Sequence, residues 1–201
     1  MGSVDLDVSR ETLQKLEAYR DLILKWTGKI NLISKPSQED VWERHIVDSA
    51  QVFAHAPASG HWVDLGSGGG LPIIVASIMS QGVGADHRFT MVESDQRKAV
   101  FLRTALRELS LEGTVISDRI EKIATLEADI LSARALADLP TLLGFASVHM
   151  KKDGTALFPK GEGWRKEEKL AQNHWSYNCE PISSTTHNQA VVLRIKDISR
   201  V

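Results

Sequence analysis

The chain has 201 residues, 42% of them hydrophobic and 25% charged, with a net charge of −2. That suits one domain with a sizeable core, and it argues against a strongly basic nucleic-acid binder, so any RNA contact must come from a local basic face. A single cysteine, Cys179, excludes internal disulfides and cysteine-rich zinc sites, and the seven histidines contain no H-x-x-x-H pair, so we expect no metal.

Residues 1–7 show neither a basic nor an apolar leader, and no apolar run is long enough to span a membrane. We therefore expect a cytoplasmic protein. Along the chain, Ser9 can cap a first helix whose Leu13, Leu16, Tyr19, Ile23 and Trp26 form one apolar stripe, with Gly28 as its stop. Ser37-x-x-Asp40 can cap a second helix carrying Val41, His45, Ile46, Ser49 and Phe53 and ending near Pro57. Residues 1–58 thus read as a helical extension, and residues 59–201 as the main domain.

From His61 onward strands and helices alternate. Strands are predicted over 61–65, 88–93, 113–117, 128–132, 154–158, 179–184 and 189–195. Helices are predicted over 71–80, 95–109, 119–126, 138–150 and 163–174. Such alternation implies an α/β fold, a Rossmann-like parallel sheet with helices on both faces. Only residues 185–188 separate the last two strands, which is hairpin length, so the last strand should run antiparallel.

Val63-Asp64-Leu65-Gly66-Ser67-Gly68-Gly69-Gly70-Leu71-Pro72 is the most informative stretch. An apolar strand ends in a carboxylate, turns through glycines and restarts as an apolar helix, as at the nucleotide site of a doubly wound sheet. The spacing is G-x-G-x-G. A nicotinamide fingerprint needs glycine where Leu71 stands, so the loop leans towards S-adenosylmethionine.

The candidate site residues follow the strand ends. Gly66 and Gly68 offer backbone contacts to the donor. Asp64 either meets the donor's cationic end or caps the glycine loop. Glu93 ends the second strand and accepts from both ribose hydroxyls, or else helps the next helix through its dipole. Ser117-Asp118-Arg119-Ile120-Glu121 should lie beside the adenine, Ile120 packing on its face, with Asp118 also able to cap a helix. Arg134, after the fourth strand, can grip a carboxylate, phosphate or base, or form a structural ion pair. The same segment lacks a Pro-Pro-aromatic motif and a cysteine nucleophile, which argues against adenine-amino and pyrimidine-carbon methylation. His45 is read as a packed helix residue without a catalytic role. Lys151, Lys152, Lys160, Arg165, Lys166 and Lys169 form either a basic face or a solvated mixed-charge surface.

Several motifs in order resemble one family. Trp26-x-x-Lys29-Ile30-Asn31-Leu32, Arg44-His45-x-x-Asp48-Ser49, the glycine loop, Arg97-Lys98-x-x-Phe101-Leu102, Arg119-x-Glu121, Ala133-Arg134-Ala135 and Lys160-Gly161 resemble the bacterial small-subunit (16S) ribosomal RNA guanine-N7 methyltransferases, also called glucose-inhibited division protein B. The resemblance runs from about residue 10 to the end. It implies a class I methyltransferase fold with seven strands, S-adenosylmethionine as donor, and a guanosine of small-subunit ribosomal RNA as acceptor. It maps donor contacts onto Gly66, Leu71, Ile120, Glu121 and Arg134. We expect Lys160 to neutralise a phosphate, and a monomer to act on a ribosomal particle. Ile73 stands where the family usually has glycine, which should tighten the helix start near the donor's methionine end. Three other readings remain: a methyltransferase of a small molecule or protein, a non-enzymatic donor- or RNA-binding regulator and, with least support, a dehydrogenase.

Overall fold

The computed structural model of the protein describes residues 6–201. The reading of residues 1–7 as lacking a leader falls mostly on residues 1–5, outside those described. Helix α1 (Arg10–Thr27) begins where expected, because Ser9 accepts a hydrogen bond from the Thr12 backbone N–H, and it ends at Gly28. The second helix departs from expectation. Ser37 lies in a short 3₁₀ turn (Lys35–Ser37), bonding back to Ser34, and caps nothing. The helix proper opens with a π-helical stretch over Trp42–Val47 and continues as α2 (Asp48–Ala54). Such wide turns favour functional positions because they re-aim side chains; this one contains Arg44 and His45.

The strands β1 (Gly60–Leu65), β2 (His87–Val92), β3 (Thr114–Ile116), β4 (Ala128–Ser132), β5 (Met150–Lys160), β6 (Trp175–Ser183) and β7 (Val191–Arg200) form one sheet in the order β3-β2-β1-β4-β5-β7-β6. β1 to β5 all run parallel to one another. β7 alone is reversed, antiparallel to both β5 and β6. The strand expected to be reversed is therefore the last in sequence, but it lies inside the sheet and β6 forms the edge.

Helices α3 (Ile73–Gly82) and α4 (Gln96–Glu108) join α1 and α2 over one face of the sheet, around Leu16, Tyr19, Trp62, Ile74 and Phe101. Helices α5 (Leu139–His149) and α6 (Trp164–Ala171) cover the other, around Val63, Leu65, Leu131, Leu143 and Phe158. Trp62 and Val63 fall in different clusters because side chains alternate along a strand.

The helix predicted over 119–126 is a single 3₁₀ turn, Ile120–Lys122. The chain is already extended at Ile123, whose side chain, like that of Leu126, packs into the α5-side core. Apolar residues three apart there serve a coil lying along the core. β5 starts four residues earlier than predicted, since Met150 already pairs with Ala128 before an irregularity in the ladder. β6 and β7 are also longer than expected, pairing from Trp175 with Arg200 to Ser183 with Val191.

Candidate functional site

The carboxyl ends of β1, β2 and β4 converge on the glycine loop. Gly66, Gly68 and Gly70 all take positive φ (65°, 54° and 78°), where a Cβ is costly. They do different work. A Cβ on Gly70 would lie 2.5 Å from Ile74 and 2.9 Å from the Tyr19 hydroxyl, so this glycine lets the loop sit under α1. A Cβ on Gly68 would meet nothing nearer than 3.8 Å. Tyr19 locks the loop by donating its hydroxyl proton to the Gly69 carbonyl.

Glu93 organises the same loop. One oxygen accepts from Gly68 N–H at 2.8 Å and the other from Asp95 N–H at 2.7 Å. A carboxylate has about four lone-pair positions, so both oxygens keep acceptor capacity. Gly66, Gly68, Glu93, Ile120 and Glu121 together line a cleft of about 450 Å³, within the range of small-molecule sites. Five of the expected donor contacts are thus brought together.

Leu71 is not among them. Its side chain is buried in the α1-side core, because the helix start turns inward there. Ile73, at the start of α3, also points into that core, is fully buried and does not line the cleft.

Asp64, two residues before Gly66, is 1% exposed and does not itself line the cleft. Its Oδ1 accepts from the Ser132 hydroxyl at 2.6 Å, and its Oδ2 is buried without a partner. Burial pushes its pKa up to about 7, partly offset by the neighbouring Ser132 and Ser67 hydroxyls and then by the Arg134 charge.

Arg134, two residues beyond the end of β4, does not line this cleft. Its guanidinium donates to His45 Nδ1 at 3.0 Å and lies 3.7 Å from the Asp48 carboxylate. Guanidinium nitrogens only donate, so His45 Nδ1 is the acceptor and Nε2 carries the proton. That Nε2 is buried without a partner. Burial, then the Arg134 and Arg44 charges, lower the His45 pKa to about 4 and keep the ring neutral. The resemblance marks Arg44, His45 and Asp48 as a motif, but not the grip of His45 and Asp48 on Arg134. It crosses 89 residues of sequence, and the π-helical stretch that re-aims His45 leaves no periodic trace.

Beyond Arg134 a second pocket of about 540 Å³ is lined by Asp48, Arg134, Lys160, Ser184 and Val191. Residues 135–137 line both hollows. Leu136 lies against the donor loop, since a Cβ on Gly66 would come within 2.6 Å of its Cδ1. A larger, mostly apolar hollow of about 710 Å³ lies between α5 and the ends of β6 and β7, behind the Ile120–Lys122 turn rather than over the strand ends.

Lys160 corrects an expectation. Its ammonium donates to Glu167 at 2.7 Å and to the Ala137 carbonyl at 2.8 Å, and its side chain is 10% exposed. The charge is neutralised inside the protein and braces the 135–137 wall, which leaves it poorly placed to meet a phosphate. The wider basic face is likewise committed in part: Lys151 pairs with Asp129 at 2.6 Å, and Arg165 stacks on Trp164. Among the described residues, no helix is long and apolar enough to cross a membrane, and no three His, Cys, Asp or Glu side chains are grouped to hold a metal ion.

The strand order, the glycine turn after β1 and the acidic end of β2 define a class I S-adenosylmethionine-dependent methyltransferase. A TehB-like SAM-dependent methyltransferase from Corynebacterium glutamicum has the same fold, with a TM-score of 0.57 at 14% identity, over 92% of this chain and 99% of that one. More particularly, the model of the rRNA small subunit methyltransferase G family matches residues 12–193, and the chain belongs to that family. It is 52% identical over 196 residues to the ribosomal RNA small subunit methyltransferase G of Ruegeria pomeroyi, covering 98% of this chain and 96% of that protein. It is 50% identical over 200 residues to the protein of the same name from another Ruegeria species, covering 100% and 98%.

Proposed function

We propose that the protein transfers the methyl group of S-adenosylmethionine to N7 of a guanosine in small-subunit ribosomal RNA. The observation that carries this reading is the pair of hollows sharing the wall of residues 135–137, one at the glycine loop and one beyond Arg134. Direct transfer needs the acceptor atom against the methyl group, and the two hollows adjoin at this segment.

The residues fit the donor. Gly66 and Gly68 bring the loop backbone against it, and Glu93 has acceptor capacity left for two ribose hydroxyls. Ile120 and Glu121 take the adenine. The orphaned Asp64 Oδ2 suits an ammonium group. When bound, S-adenosylmethionine supplies an electrophilic methyl on a positively charged sulfur.

Guanine N7 holds a free lone pair in its neutral form, so no proton has to leave before attack. The chain therefore needs to align and enclose rather than to abstract a proton. Arg134, clamped by His45 and Asp48, presents a fixed cation at the edge of the acceptor pocket, which suits an electron-rich base edge or an adjoining phosphate. His45, held neutral, fixes Arg134 rather than acting as a base. With a net charge of −2, the protein draws little affinity from bare phosphates. We therefore propose that a monomer acts in the cytoplasm on an assembled particle that presents the guanosine unstacked.

The test is transfer of labelled methyl to small subunits from cells lacking the enzyme, mapped by strand scission at 7-methylguanosine. One new scission site in small-subunit RNA is expected. No transfer to particles or naked RNA, with donor binding intact, would refute the reading.

A further inference from the structure

The two oxygens of Asp64 are unequal, and the sheet explains why. Asp64 faces Ser132 across the β1–β4 pair, so the two side chains emerge side by side. Trp62, two residues back on β1, projects to the same face and donates its indole N–H to Ser132 Oγ at 2.9 Å. An indole nitrogen can only donate, and a hydroxyl has one proton. Ser132 therefore accepts from Trp62, and its proton is directed at Asp64 Oδ1, 2.6 Å away. The chain of bonds runs one way, from Trp62 through Ser132 to Asp64. All three residues are buried, so water does not randomise it.

The other groups acting on Asp64 leave Oδ2 open. Tyr19 from α1 spends its proton on the Gly69 carbonyl. Ser67 in the glycine loop donates to the Asp64 backbone carbonyl at 3.0 Å. Glu93 at the end of β2 is itself acidic, and Arg134 after β4 is engaged by His45 and Asp48. One buried acceptor atom, fixed in direction and without a hydrogen-bond partner, is left two residues from Gly66 at the edge of the donor cleft.

We propose that Trp62 and Ser132 are positioning residues for donor binding: they hold Asp64 with Oδ2 aimed to receive the α-ammonium of the donor's methionine end. The proposal rests on the reading of Asp64 given under Proposed function. Ser132 stabilises the ionised carboxylate through one charge-assisted bond, and the incoming ammonium supplies the missing counter-charge.

The experiment compares two probes by calorimetry at neutral pH. S-adenosylhomocysteine carries the amino-acid end, whereas 5′-methylthioadenosine keeps the adenosine and lacks it. Ser132→Ala should weaken S-adenosylhomocysteine about 10-fold or more, the loss expected for a hydrogen bond to a charged group, and change 5′-methylthioadenosine less than about twofold. Ser132→Thr, which keeps the hydroxyl, should restore most of the affinity. Ser132→Cys, a near-isosteric weak donor, should fall between them and serves if the alanine variant does not fold. Equal weakening of both probes, or of neither, overturns the proposal. Asp64→Asn separates the two levels of the argument. If it leaves S-adenosylhomocysteine binding unchanged, the reading of Asp64 fails. If it selectively loses that probe while Ser132→Ala does not, only the relay from Trp62 and Ser132 fails.

Discussion

Replacing Gly68 and Gly70 separately by alanine should divide the donor loop into a ligand half and a folding half. Both positions take positive φ, so each alanine carries a backbone cost of about 1–2 kcal/mol. At Gly70 the new Cβ also lands 2.5 Å from Ile74 and 2.9 Å from the Tyr19 hydroxyl, in a core with no slack. Overpacking of this kind adds about 1–3 kcal/mol. Gly70→Ala should therefore lose about 3 kcal/mol in total, which for a chain of this size lowers Tm by about 6–12 °C. At Gly68 the nearest atom is 3.8 Å away, so only the backbone cost applies, and Tm should fall by about 2–4 °C for each kcal/mol of it. The Gly68 Cβ instead stands in the cleft, where it should displace the donor. Thermal melts, paired with calorimetric titration of S-adenosylhomocysteine, check both halves. If Gly68→Ala unfolds as readily as Gly70→Ala and binds the donor product as well as the wild type, this division of labour is wrong.

Three further outcomes follow from the site. Because burial raises the Asp64 pKa to about 7, the neutral form favours the ligand-free fold. Its contribution is complete below the ordinary carboxylate range and is lost as pH rises from there through about 7. Urea midpoints of the wild type should fall over that window relative to Asp64→Asn, and parallel pH slopes would contradict this. Lys160→Met removes the counter-charge of Glu167, which keeps only its bond from the Leu139 N–H, and the side-chain donor to the Ala137 carbonyl; it should cost about 1–3 kcal/mol, with an unchanged salt slope of RNA binding, and an intact Tm with a shallower slope would reinstate a phosphate contact. His45 should appear in nitrogen NMR as a neutral ring protonated on Nε2 at pH 5.5, and Arg134→Ala should raise its pKa towards the usual histidine value. A ring already charged at pH 5.5 in the wild type would dissolve the clamp.

How much of this was legible depended on whether the signal was local. β1, β2 and β4 could be read because strands covered on both faces are apolar almost throughout, as in Trp62-Val63 and Met91-Val92, each closed by an acidic or polar residue at its end. Glu93 and the glycines were found for the same reason, since their roles follow from position at a strand terminus. The Ile120–Lys122 turn was misread because Ile120, Ile123 and Leu126 repeat at a spacing that suits a helix. Lys160 looked like a surface cation because Glu167, seven residues on, comes from another element. The Trp62–Ser132–Asp64 bonds and the His45–Arg134 contact arise from strand register and helix aim, which no single segment encodes.

Asp48 also receives hydrogen bonds from Ser184 and Thr186, while Gln51 accepts from the Thr185 N–H. These residues form the turn between β6 and β7, so the early helical region is stitched to the hairpin that ends the sheet. β7 lies between β5 and β6, and the turn that leads into it reaches Asp48. The Asp48 carboxylate is therefore held from two distant parts of the chain, by Arg134 after β4 and by the turn between β6 and β7. Shortening that turn should loosen Asp48 and the hollow it lines while leaving the glycine loop in place.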